Sequence, residues 1–136
     1  MTADELARSY FTRAGKRMLA LRLLMQEETY PDVAREAQEI VELALKRMLR
    51  AIGVDPPRWH DVGGMLIDHR DKLPPAVAAD VETLAAISLR LRRDREAAFC
   101  GDIDLIPERV FDREAAQRAI EGAERVLRAV EEFARR

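Results

Sequence analysis

VAREAQEIVELALKRMLRAIGVDPPRWHDVGGML, from Val33 to Leu66, decides how the rest of this 136-residue chain is read. Val33, Ala37, Ile40, Val41, Ala44, Leu45, Met48, Leu49 and Ile52 recur every three or four residues, the spacing that lays side chains along one stripe of an α-helix. Arg35, Glu39, Glu42, Lys46, Arg47 and Arg50 fill the remaining circumference, so the segment predicts an amphipathic helix with one buried face. Gly53 supplies a left-handed stop, and Pro56 and Pro57 forbid continuation. The helical pattern restarts near His60 and Asp61, where the helix dipole favours an acid. Gly63 and Gly64 predict that this third helix is weak and short, ending near Lys72.

On the N-terminal side, Thr2 and Glu5 have the spacing of a capping box. Leu6, Ala7, Tyr10, Phe11, Ala14, Met18, Leu21 and Met25 then carry a first helix to Glu27 or Glu28, and the second begins at Pro31 or Asp32. On the C-terminal side, Pro74 and Pro75 open a fourth helix with Val77, Val81, Leu84, Ile87, Ser88 and Leu91 inward, running to about Ala98. Residues 101–111 keep no period and read as a loop. Asp112 caps a last helix with Ala116, Ala119, Ile120, Ala123, Val126, Leu127, Val130 and Phe133 inward. On its surface Glu114 and Arg118, Glu121 and Arg125, and Glu124 and Arg128 have the spacing of ion pairs along one helix. Four long helices and one short one predict an all-α fold: one domain over residues 1–136, arranged as a mainly antiparallel bundle.

Composition narrows the function classes. With 23 basic and 25 acidic side chains the chain lacks the positive field of a bulk nucleic-acid binder, so any nucleic-acid contact is local. The N-terminal segment is charged from its fourth residue, and no stretch nears the roughly 18 consecutive apolar residues of a spanning helix. The single cysteine, Cys100, excludes an intrachain disulfide. These features predict neither secretion nor membrane insertion, and a reduced, cytoplasmic setting.

Few residues offer chemistry. His60 stands at a helix start, either locking the loop through a backbone hydrogen bond or contacting a phosphate beside the free N–H groups there. Arg90, Arg92, Arg93 and Arg95 concentrate guanidinium groups at the end of the fourth helix, with Arg92, Arg95 and Phe99 at helical spacing. Such a cluster forks around phosphate oxygens, yet Asp94 and Glu96 among the arginines equally fit a solvated, salt-bridged face. Asp102 and Asp104 alternate in the following loop without the longer ligand series of a calcium site. His69 lies nine residues from His60 with no cysteine nearby, and Cys100 has neither a histidine nor a second cysteine in its sequence neighbourhood. No metal, cofactor or catalytic residue is expected.

Three blocks resemble the HEPN domain, a small helical module named for nucleotide binding: Ala34 to Val62, Arg95 to Asp102, and Ile106 to Val130. The first has Glu42 and Lys46 one turn apart, then a glycine, prolines and the pair His60 and Asp61. The second matches an arginine, aromatic, glycine and acid series at Arg95, Phe99, Gly101 and Asp102, with Cys100 where the pattern places a tyrosine. The third resembles the proline-containing loop that leads to the family's final helix.

The resemblance implies two families of activity and a habit of pairing. Many HEPN proteins are metal-independent ribonucleases whose arginine is followed four to six residues later by a histidine; neither His60 nor His69 has an arginine at that distance before it. Without that histidine no general acid or base is evident for attack by a ribose 2'-hydroxyl. Other members lack the nuclease pair and accompany a minimal nucleotidyltransferase, in toxin–antitoxin-like systems, holding substrate or docking as partner. The expectation is therefore a non-catalytic nucleotide-binding or accessory module, with Lys46, His60, Arg92, Arg93 and Arg95 outlining the ligand site. A homodimer is expected too, and a purely structural helical dimer is the alternative that binds nothing small.

Overall fold

Thr2 opens the first helix as the capping box requires: Glu5 N–H donates to Thr2 Oγ1 at 3.1 Å, and Thr2 N–H donates to Glu5 Oε2 at 2.7 Å. The computed structural model describes residues 2–56, 58, 61–99 and 111–134. Among these it holds five α-helices: α1 (Ala3–Gln26), α2 (Tyr30–Ala51), α3 (Val62–Asp68), α4 (Pro75–Phe99) and α5 (Arg113–Ala134). A 3-10 turn, Arg70–Lys72, joins α3 to α4, and no strand occurs among the described residues. The fold is all-α, as the helical periodicities predict.

α2 is the axis of the molecule. Thirteen of its 22 residues are buried, because α1, α3, α4 and α5 all pack against it. α1 runs antiparallel to it, with the Arg50 guanidinium 5.6 Å from the Tyr10 ring at one end and Arg17 3.6 Å from Glu36 further along. α4 is antiparallel as well, pairing Arg92 with Glu42 and Arg95 with Glu39. α5 is the exception and runs parallel to α2: Arg113 Nε donates to the Tyr30 hydroxyl at 3.1 Å, and Arg47 lies over Phe133.

A helix surrounded in this way has little solvent face, and Arg47 shows the consequence. The sequence places it outside the apolar stripe, but it is only 9% exposed, its guanidinium 5.6 Å from the Phe133 ring. On α5 the charged residues reach other helices instead of pairing as the i,i+4 spacing predicts: Arg125 meets Asp80 of α4 at 3.2 Å, and Glu124 meets Arg22 of α1 at 3.9 Å. The inward positions expected for α4 and α5 are buried, except that Ile87 and Leu127 are only partly covered.

α3 is short, with Asp61 as its N-cap accepting from Gly63 N–H at 3.1 Å. Gly63 has a second role. A Cβ there would stand 2.7 Å from Ala85 Cα, so the missing side chain lets α3 lie against the backbone of α4. No helix among the described residues is long and apolar enough to cross a membrane.

Candidate functional site

The antiparallel run of α2 against α4 sets the register of the charged residues. Residues 38 and 39 of α2, and residue 42 one turn further on, stand on the side that faces α4, where Ser88, Arg92 and Arg95 share a line at helical spacing. Arg95 Nη1 donates to Gln38 Oε1 and, at 3.0 Å, to Glu39 Oε1. Arg92 Nη2 stands 3.9 Å from Glu42 Oε1, a charge contact beyond hydrogen-bond range. Glu39 is shared, since Arg17 of α1 approaches its other carboxylate oxygen at 3.9 Å. A chain of charge thus runs Arg17, Glu39, Arg95 across three helices.

Of the residues expected to bind ligand, the fold brings Arg92 and Arg95 together at α2, both half-buried. Lys46, also half-buried, continues the same side of α2 one turn beyond Glu42. Arg93 does not join them: it projects about 100° around α4 from Arg92 and is exposed. His60, Cys100, Gly101, Asp102 and Asp104 lie outside the described residues.

Sequence reading overlooked Gln38 and Arg17. Gln38 carried a signal, because it stands four residues after Ala34 and three before Val41, within the apolar stripe. A polar side chain at such a position requires a partner, and at 6% exposure its partner is Arg95. Arg17 left none, since it sits among other charges on α1 and only the packing shows which of them faces α2.

The electrostatics favour a weakly positive seam: Arg17, Lys46, Arg92 and Arg95 stand against Glu36, Glu39 and Glu42. At this degree of exposure such ion pairs stabilise by no more than about 1 kcal/mol each, so exchange of a carboxylate for another anion is affordable. A second charged group lies on the far side of α4. Burial raises the Asp94 carboxyl above its ordinary range, and Arg90 and Arg118 pull it back in part. His69 is held by its own helix, its Nδ1 2.8 Å from the Met65 carbonyl, which makes Nδ1 the donor. Among the described residues no group of three or more His, Cys, Asp or Glu side chains is placed to hold a metal ion.

No curated protein and no solved structure matches the chain. A family model does, and its match spans residues 7–133, covering all three blocks that carry the sequence resemblance. The chain belongs to the HEPN domain family.

Proposed function

We propose that this chain is a non-catalytic HEPN module whose α2–α4 seam receives a nucleotide or similar phosphate-bearing ligand, and which serves as the accessory partner of a minimal nucleotidyltransferase. The observation that carries the reading is the placement of Arg92, Arg95 and Lys46 along one half-exposed seam. Two guanidinium groups one turn apart suit a phosphate, whose oxygens accept paired, charge-assisted hydrogen bonds. Arg95 is oriented by Gln38 and Glu39, so it arrives at a ligand with its conformation already set. Arg92 Nη2 stands 3.9 Å from Glu42, a longer contact than a guanidinium makes with a phosphate oxygen.

A ribonuclease reading has less support. It requires a histidine spaced after an arginine, which the sequence lacks, and His69 has one ring nitrogen committed to a backbone carbonyl. The accessory role rests on family membership together with that missing pair.

Calorimetric titration with nucleoside triphosphates, with and without magnesium, tests the site. Saturable binding is expected, weakened about ten- to hundredfold by Arg92→Ala, the loss typical of a hydrogen bond to a charged group, and little changed by Arg93→Ala. Absence of binding, or equal loss in both variants, would refute the assignment. Co-purification of a nucleotidyltransferase with the tagged chain from its native cell tests the partnership.

A further inference from the structure

Between Leu6 and Gln26 the chain carries Arg8, Arg13, Lys16, Arg17 and Arg22 and no carboxylate, although its net charge is −2. The whole stretch lies in α1. Arg17 is turned to α2, where Glu36 and Glu39 approach it. The other four cations are exposed. Arg13 and Lys16 pair with no carboxylate among the described residues, and Arg22 stands 3.9 Å from Glu124 of α5. Glu5 on one side and Glu27 with Glu28 on the other, all exposed, bound this basic stretch.

Amid the cations α1 exposes Leu19 and Leu23, at 68% and 57% the most exposed large apolar side chains among the described residues. Four residues apart, they share one line of the helix, with Lys16 to one side of it and Arg22 to the other. Beyond Arg22 the surface falls into a groove of about 280 Å³ between α1 and α5, its apolar lining Met18 and Leu127, with Glu124, Arg128 and Glu131 on the α5 wall. That wall carries both signs of charge, so the positive excess belongs to α1.

An apolar line beside a concavity and bordered by cations fits an amphipathic helix rich in carboxylates. Its apolar side chains rest on Leu19 and Leu23 and enter the groove, while its carboxylates meet Arg13, Lys16 and Arg22. A phosphate backbone makes no use of exposed leucines. A bilayer surface binds through a broad apolar face, and here two leucines stand among cations. We infer that this face of α1 is a docking surface for an acidic amphipathic helix of another protein. It lies apart from the α2–α4 seam, and either assignment can fail without the other.

Fluorescence anisotropy with the full chain tests it. The probe is a labelled synthetic peptide of about five helical turns, with leucines along one line and glutamates beside them; one control replaces the glutamates by lysines and another the leucines by alanines. Saturable binding of the glutamate peptide is expected, with each control weaker by about tenfold. Leu19→Ala combined with Leu23→Ala is expected to weaken it about tenfold. Lys16→Glu is expected to weaken it roughly two- to fivefold and to improve the lysine control by a similar factor, which keeps the surface testable should the leucine variant misfold. Arg93→Glu, on exposed α4 surface, should leave binding unchanged. No saturable binding of the glutamate peptide, equal binding of the lysine control, or equal loss in the Arg93 variant would overturn the assignment. So would a second copy on this face, seen in sedimentation equilibrium as a dimer that the leucine replacements convert to single chains, or leucine-dependent binding to phosphatidylserine vesicles or single-stranded RNA tighter than to the peptide.

Discussion

Glu28 and Gly53 end α1 and α2 with the same backbone device. Both occupy the left-handed region, at φ 60° and 79°. In each case the next residue's N–H returns to the carbonyl five positions back: Thr29 to Leu24 at 3.1 Å, and Val54 to Leu49 at 2.9 Å. Gly53 announces this conformation in the sequence; Glu28 does not, because nothing in a glutamate marks a left-handed site, and its Arg113 contact at 3.8 Å joins two exposed side chains. Glu28→Gly is expected to raise stability by about 0.5–1 kcal/mol, the strain of a side chain at positive φ less the added freedom of glycine when unfolded. Urea unfolding measures it, and a lowered midpoint would place the Arg113 contact above the strain. Asp94 offers a second test. Its carboxyl is raised by burial, so for this group stability is greatest when it is protonated and is lost as pH rises through its folded-state pKa. Asp94→Asn should therefore be at least as stable as the wild type near neutrality, with the difference shrinking toward acid pH; a variant less stable at pH 7 would show that Arg90 and Arg118 outweigh burial.

At the scale of elements, the apolar stripe of α2 was legible but its depth of burial was not, since Ala34 and Leu43, outside the stripe, are buried as well. A stripe says which residues face the core and is silent on how many neighbours a helix has. With four helices around it, α2 covers Arg47 and Gln38 too, and these polar groups are accommodated by Phe133 and Arg95. α3 gives the opposite lesson. Its two glycines lower helix propensity, which made the element look weak, yet Gly63 is what lets it rest on α4. Gly63→Ala improves propensity and still should destabilise by about 1–3 kcal/mol, because the added methyl meets the Ala85 backbone and α3 must move away. An unchanged unfolding midpoint would show that α3 is free to shift.

Across the whole molecule, the mainly antiparallel arrangement expected from four long helices and one short one holds for α1 and α4 against α2, while α5 lies parallel to α2 and antiparallel to α4. That topology selects the candidate site. It joins Arg92, Arg95 and Lys46 along a single seam, adds Arg17 from α1, and leaves Arg93 exposed. Helical spacing alone was enough to pair Arg92 with Arg95; which helix they face, and which carboxylates already hold them, required the packing. The central claim, that the seam takes a phosphate-bearing ligand, is tested most directly by arginine side-chain nuclear magnetic resonance during a nucleoside triphosphate titration. The Nε–H signals of Arg92 and Arg95 are expected to shift together and saturate while that of Arg93 stays in place; a titration that moves none of them, or moves Arg93 and leaves the seam pair unchanged, would contradict a ligand in the seam.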